Sequence, residues 1–361
     1  MPEAKPPHMT APEASTTAAV PDGIERAGVE GWFAKNVPGA EPPLTFERIS
    51  GGRSNLTYRV VDARRRQWAL RRPPLGKTLS SAHDMGREHR IISALSPTEV
   101  PVAPAVGICE DGSVNGGAPF YVMEWVEGPV LRSKQEAERL FDELDRRAIG
   151  ERVAEALVAI HAVDPDAVGL GELGRREDYV ARQLRRWQRQ WEGWKTRELD
   201  LIDDLHRRLE ARVPEQRETA LVHGDYRLDN MILARSGEVA AVVDWELCTL
   251  GDPLADVGML MVYWSQPGDE QTALFDPPTM ASGFPRRDEL TARYAERSGR
   301  DLSELDFFVA LGYWKLAIIL EGVYARFAAG QYGTSDEAFQ QFADLVVRLA
   351  EGADEAERRL G

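Results

Sequence analysis

The chain has 361 residues, of which 43% are hydrophobic and 29% charged, with a formal net charge of −15. That length suits one large domain or two lobes and can bury a sizeable core. Phosphate-rich partners require a basic footprint, so so acidic a chain excludes nucleic acid and an anionic membrane as partners, while a local basic cluster stays compatible with a phosphorylated small ligand.

In chain order, Met1–Pro21 is rich in Pro, Ala, Ser and Thr and reads as a disordered tail over residues 1–22. It has no basic region followed by an apolar core, so no secretory signal is expected. A helix over Ile24–Val37 carries Trp32 and Phe33 and ends before Pro38, Pro42 and Pro43. Strands are expected over Leu56–Asp62 and Gln67–Arg72, joined by the polar turn 63–66. A helix over His83–Leu95 follows, with Ile91, Ile92 and Leu95 as its apolar face. Strands resume at Ala105–Cys109 and Phe120–Val126 around a Gly-rich turn at 111–117.

Beyond Gly128 the pattern turns to long helices, over Gln135–His161, Arg176–Arg212, Arg286–Ser298, Leu302–Ala329 and Asp336–Arg359. One β island interrupts them: Ala220–His223, Asn230–Ala234 and Val239–Trp245, with residues 235–238 as a hairpin turn. No internal repeat is present. The fold class is therefore α+β and bilobal, with a small β-rich N-lobe over residues 23–126 and a larger, mostly helical C-lobe over 127–361. The most apolar run, Leu316–Leu320, lies between Lys315 and Glu321 and is too short to cross a bilayer. Cys109 and Cys248 lie far apart and outside any metal-type spacing, which favours a reduced, cytoplasmic setting.

The chemistry-bearing residues lie in the β island. In His223-Gly224-Asp225, followed five residues later by Asn230, a carboxylate can accept the hydrogen bond of a hydroxyl while a downstream amide oxygen reaches a metal ion. Val242-Val243-Asp244 is a strand ending in an acid, and the hairpin folds Asp244 back beside Asn230. Two hard oxygen ligands of this kind suit Mg²⁺, with water and phosphate completing the octahedron. The plainer reading, that Asp225 and Asp244 only cap turns, is weakened by their being joined through a short hairpin. Arg227, two residues after Asp225, is placed either to reach a transferring phosphate or to pair with Asp229 or Glu246.

The segments His223–Asn230 and Val242–Pro253 resemble the motifs of the aminoglycoside phosphotransferase/choline kinase superfamily, which has a protein-kinase-like fold. The form HGDYRLDN…VVDWELCTLGDPLADVG is most similar to kinase-like domains related to those fused to some acyl-CoA dehydrogenases. The resemblance covers nearly everything after residue 40. It implies a phosphate-covering loop, and residues 49–58 stand where that loop should be, with Gly51 and Gly52 allowing close backbone approach and Ser54 and Asn55 adding donors. It also implies a phosphate-gripping lysine on the following strand, paired with a helix acid. Here Arg71 stands in the lysine position, with Arg72 as an alternative, and Glu88 is the matching acid. Arginine binds phosphate in bidentate fashion but is bulkier than lysine; a surface arginine on an edge strand is the bland alternative. Tyr121–Gly128 resembles the adenine hinge, in which the carbonyl of Glu124 and the amide of Val126 would face the base with Met123 behind it.

Asp252 suits a helix cap before Pro253, and in the resemblance Asp252 and Asp256 brace the catalytic loop through its backbone. His161 reads as a packing residue at a helix end. Trp187, Trp191 and Trp194 recur at helical spacing, as a core stripe or as one wall of an acceptor pocket. Arg182, Arg185, Arg186 and Arg189 on the same segment read as a solvated face.

Together these imply an ATP- and Mg²⁺-dependent phosphotransferase acting on a small-molecule hydroxyl. Asp225 and Arg227 are its catalytic residues, and Asn230 and Asp244 its metal ligands. Gly51, Gly52, Ser54, Asn55, Arg71, Glu88, Met123, Glu124 and Val126 take the nucleotide. The alternatives are a nucleotide-binding pseudokinase or regulatory protein and, for substrate, an aminoglycoside antibiotic in place of a metabolite or hydroxyacyl-CoA-like acceptor. Monomer and homodimer both stay open.

Overall fold

The computed structural model describes residues 20–49, 55–75, 84–269, 276–328 and 336–360. The chain divides into two units, one of residues 1–85 and 106–125, the other of residues 86–105 and 126–361. The expected tail falls almost entirely outside the described residues.

In the first unit, α1 (Arg26–Asn36) precedes β1 (Thr45–Arg48), β2 (Leu56–Val61) and β3 (Gln67–Arg72). With β4 (Ala105–Cys109) and β5 (Phe120–Glu124) these form a five-stranded sheet in the order β1-β2-β3-β5-β4. β2 alternates buried and half-buried residues, the period expected of a strand with one face on a core. Phe33 of α1 is fully buried and meets Trp68 edge-on at 5.7 Å, while Trp32 meets Phe120 at 5.0 Å. Each such side chain contributes roughly 1.5–3 kcal/mol by leaving water. β1, which the sequence pattern did not reveal, is four residues long and gains its order by pairing with β2 from Thr45 opposite Val61 to Arg48 opposite Tyr58.

The second unit contains most of α2 (Met85–Leu95) and all later helices. Arg87 ties α2 to this unit by donating to the carbonyls of Leu173, at 3.0 Å, and Cys248, at 2.7 Å. The long helix expected over 135–161 is two, α3 (Lys134–Leu140) and α4 (Glu143–Ala162), because Asp142 and Asp145 form a capping box that starts α4 afresh. The expected helix over 176–212 is likewise two, α5 (Tyr179–Trp194) and α6 (Asp200–Ala211). The break has a tertiary cause: the backbone N–H and the hydroxyl of Thr196 both donate to the buried carboxylate of Glu321, at 3.0 and 2.7 Å.

Two small antiparallel pairs follow, β6 (Ala220–Val222) with β9 (Thr249–Gly251) and β7 (Met231–Leu233) with β8 (Val239–Val242). β9 was not foreseen, being only three residues long. Then come α7 (Leu254–Tyr263), α8 (Arg287–Ser298), α9 (Leu305–Ala328) and α10 (Asp336–Arg358). α9 is the one described helix long and apolar enough to cross a membrane, but 67% of its apolar window is buried inside the fold, against α7, α10 and α5. Gly258 permits the close approach of α7: a Cβ there would lie 2.5 Å from the backbone of Phe308. Cys109 and Cys248 are both buried free thiols.

Candidate active site

The loop after β6 turns at Gly224, whose φ of +85° is a left-handed conformation open to glycine. Its backbone is held from below by Asp256 on α7. One carboxylate oxygen accepts the His223 N–H at 2.6 Å, and the other accepts the Gly224 N–H at 2.8 Å. Burial alone would raise the Asp256 pKa, but its hydrogen bond with His161 and the backbone N–H donors outweigh this, and the carboxyl sits below its ordinary value. Burial pushes His161 the other way, below the ordinary imidazole value, so its Nε2–H donates to Asp256 at 3.3 Å while Nδ1 accepts from Tyr294 at 2.7 Å. His161 thus packs in the core as the sequence suggested and also joins a buried polar chain that the sequence did not reveal. Asp256 braces the loop; Asp252 instead accepts the Leu254 N–H at 3.0 Å at the start of α7, and burial lifts its carboxyl to about 6.

His223 is fully buried against Trp245, edge-on at 4.7 Å, and its Nε2 donates to the Val243 carbonyl at 3.1 Å. Tyr226 is buried as well, donating to the Val153 carbonyl at 2.7 Å. Between them Asp225 stays about 23% exposed. Its Oδ1 accepts from the Tyr263 hydroxyl at 3.1 Å and its Oδ2 from the Asn230 amide at 2.9 Å. The same Asn230 amide donates to the Asp225 carbonyl at 2.8 Å, which fixes the amide with its oxygen turned away from both acceptors. A side-chain oxygen so freed is the donor that a hard divalent cation requires.

The hairpin supplies the second oxygen donor. Val243 N–H donates to the Asn230 carbonyl at 2.9 Å, and Asp244 follows with a left-handed φ of +70°, unusual for a residue other than glycine. Asn230 and Asp225 are thereby held beside the segment that carries Asp244, two residues beyond the end of β8, and such carboxylate and amide oxygens are the hard donors that suit Mg²⁺. Among the described residues no three His, Cys, Asp or Glu side chains gather into a metal cage.

Arg227 lies 3.4 Å from Asp225, 3.3 Å from Asp229, and 5.0 Å above the Tyr263 ring. Burial opposes its charge, but Asp225, Tyr263, Asp229 and Asp244 outweigh that and raise its pKa. Of the two alternatives for Arg227, the ion pair with Asp229 is therefore present, alongside contact with Asp225. Tyr263 is raised well above the ordinary phenol value, first by burial and then by the Asp225 charge. It donates to Asp225 as a neutral hydroxyl.

Lys315 of α9 also reaches this loop. Its ammonium donates to the Gly224 carbonyl at 3.1 Å and lies 5.5 Å from the Trp187 ring centroid. Burial pushes its pKa below the ordinary lysine value, against attraction from Asp225 and Asp256. The tryptophan stripe is thus divided: Trp191 is wholly buried and donates to Asp203 at 3.1 Å, whereas Trp187 meets Lys315. Arg185, Arg186 and Arg189 are exposed, as a solvated face requires.

On the nucleotide side, Gly51, Gly52 and Ser54 lie outside the described residues, and Asn55 is buried immediately before β2. Arg71 is not a surface residue on an edge strand: β3 is the central strand, and Arg71 is 8% exposed on it, opposite Thr57 and Tyr121. Arg72 is committed elsewhere, donating to the backbone carbonyls of Gly23 and Pro73. Met123 is buried and Glu124 exposed at the end of β5; Glu88 is buried on α2, and Val126 begins the second segment of the second unit.

A helical unit with a braced His-Gly-Asp loop and a hairpin ending in aspartate, together with a five-stranded unit, defines a kinase-like phosphotransferase fold. The model of the phosphotransferase enzyme family matches residues 45–308, and the chain belongs to that family. It is 35% identical over 348 residues to acyl-CoA dehydrogenase family member 10 of Mus musculus, covering 95% of this chain and 31% of the mouse protein. The chain therefore spans about a third of that curated relative. A solved chain from Ralstonia eutropha JMP134, provisionally named an aminoglycoside phosphotransferase, is 30% identical with a TM-score of 0.80, covering 93% of this chain and 99% of that one. Choline kinase from Cryptosporidium parvum Iowa II shares the fold at 13% identity, with a TM-score of 0.61 over 92% of this chain and 95% of its own.

Proposed function

We propose that this chain transfers the γ-phosphoryl group of ATP to a hydroxyl of a small molecule. The observation that carries the reading is the fixing of Asp225: both its carboxylate oxygens are held, by Tyr263 and by Asn230, while the amide oxygen of Asn230 is left free. Asp225 accepts the hydrogen bond of the acceptor hydroxyl and orients its oxygen toward the γ-phosphorus. The new bond forms between that oxygen and phosphorus; the bond to the β,γ-bridging oxygen breaks, and ADP leaves with the electron pair. The hydroxyl proton passes to Asp225 and then to solvent. Arg227, kept charged by its acidic neighbours, faces the charge that spreads over the transferring group. Asn230 and Asp244 would hold Mg²⁺, which when bound offsets the negative charge of the phosphates.

On the nucleotide side, the reading assigns the phosphates to Gly51, Gly52, Ser54, Asn55 and Arg71 with Glu88, and the base to Met123, Glu124 and Val126. The commitment of Arg72 to backbone carbonyls supports Arg71 as the phosphate-binding arginine. For the acceptor, Lys315 and Arg227 beside Asp225 disfavour a polycationic aminoglycoside and favour a metabolite alcohol. The name of the mouse relative points the same way, toward an acyl-bearing compound. Burial of both free thiols agrees with a reduced, cytoplasmic setting.

The test is Mg²⁺-dependent ADP release by purified protein across a panel of metabolite alcohols, hydroxyacyl thioesters and aminoglycosides. One acceptor class is expected to stimulate turnover in wild type and not in Asp244→Ala. Nucleotide binding without turnover on any acceptor or on water would favour a pseudokinase.

A further inference from the structure

A costly residue in the second unit is Lys315. It sits in the apolar middle of α9, between fully buried Trp314 and nearly buried Leu316. Placing an ammonium there costs stability, because the desolvated charge has no full replacement for its water. Lys315 is half-buried, and no ion pair joins it to a carboxylate within 4.0 Å among the described residues. Of its three N–H groups one is used in a hydrogen bond, to the Gly224 carbonyl at 3.1 Å, and the ring of Trp187 lies 5.5 Å away. A cation–π contact returns roughly 0.5–2 kcal/mol, a partial compensation. Arg186, at 5.4 Å from the same ring, adds repulsion.

What this costly residue touches is the peptide that leads into Asp225. Asp256 holds the N–H groups of His223 and Gly224 from one side. Lys315 holds the carbonyl of Gly224 from the other. The backbone entering Asp225 is thus pinned at donors and acceptor alike, just before Tyr263 and Asn230 fix the carboxylate.

We propose that Lys315 is a positioning residue for phosphoryl transfer: its ammonium, seated on Trp187, locks the Gly224 carbonyl and so sets the direction in which Asp225 meets the acceptor hydroxyl. The proposal rests on the phosphotransferase reading. Removing the ammonium frees the Gly224 peptide to rotate without disturbing the apolar packing of α9, so turnover falls while the fold persists.

The test uses the full-length chain with Mg²⁺, ATP and water as the acceptor, reading ADP release, together with titration of a fluorescent ATP analogue and thermal melting. Asp225→Asn is the control that identifies the hydrolysis as this site's own. Lys315→Met is expected to lower hydrolysis by about 10- to 100-fold, since misplacement on the order of 1 Å costs that much. Nucleotide affinity should be kept, and the melting transition kept or raised. Lys315→Cys should be equally slow, and treatment with bromoethylamine, which rebuilds the side chain as a thioether with its ammonium, should restore most of the rate. Wild type, carried through the same treatment, controls for Cys109 and Cys248. Hydrolysis unchanged in Lys315→Met, or a loss in Lys315→Cys that the restored ammonium does not recover, overturns the proposal. Wild-type hydrolysis insensitive to Asp225→Asn, or its absence together with no turnover on any acceptor of the panel, instead strikes the phosphotransferase reading, and the role of Lys315 falls with it.

Discussion

Asp256→Asn should separate the support of the catalytic loop from its chemistry. Asp256 is wholly buried and accepts three hydrogen bonds, from His223 N at 2.6 Å, Gly224 N at 2.8 Å and His161 Nε2 at 3.3 Å. An asparagine has a single acceptor oxygen and a donating NH₂ in place of the second carboxylate oxygen. Whichever way the amide turns, at least one buried backbone N–H faces another donor, at about 1–3 kcal/mol for the unmatched group. Loss of the charge-assisted strength of the remaining bonds adds to that. The sum is a loss of about 2–4 kcal/mol, from the unmatched buried N–H and the weakening of the remaining bonds. Urea denaturation of wild type and variant, followed by tryptophan fluorescence, measures the difference directly. ADP release should fall more than nucleotide affinity, because the loop that carries Asp225 shifts while nucleotide contacts elsewhere persist. A stability change below about 1 kcal/mol, with turnover intact, would refute the reasoning, since such a buried network cannot be unmatched at no cost.

Asp252→Asn makes a contrasting case. Its carboxyl is lifted from 3.8 to about 6 by burial, so between those values the folded state holds the proton more tightly than the unfolded chain. Wild-type stability therefore declines through this group as pH rises from about 4 to 6, and the variant, which keeps an oxygen for the Leu254 N–H, gains on wild type over that window by on the order of 2 kcal/mol. Denaturation curves at pH 4 and pH 7 should show the gap between the two proteins shift by that amount. Gly258→Ala should destabilise by about 2 kcal/mol or more, because the new methyl would lie 2.5 Å from the Phe308 backbone and drive α7 from α9; urea midpoints at constant slope check this.

The reach of the sequence pattern followed the locality of the contacts. Asp225 and Asn230 were visible because five residues of one loop separate them, and the β7–β8 hairpin that leads on toward Asp244 was visible from its turn spacing. The sheet strands β2 to β5 were visible as short strand-like runs bounded by turn residues, and β2 also by alternation. The break between α5 and α6 was not, because it depends on Glu321, 125 residues away, capturing Thr196. The start of α4 was announced by Asp142 and Asp145, a capping-box spacing inside what otherwise reads as continuous helix. Tyr263, His161 with Tyr294, and Lys315 joined the site only through the packing of α4, α7, α8 and α9. One signal for Lys315 was nevertheless present: a lysine inside the apolar run 307–320 of α9 is a costly choice that invites a functional reason.

The central claim is that Asp225 serves phosphoryl transfer, and Asp225→Asn tests it most directly. Asparagine keeps the size of the side chain but cannot take the hydroxyl proton. With Mg²⁺ and ATP, the account predicts that acceptor-stimulated ADP release drops to background while titration of the nucleotide gives wild-type affinity. Full turnover in that variant would contradict it.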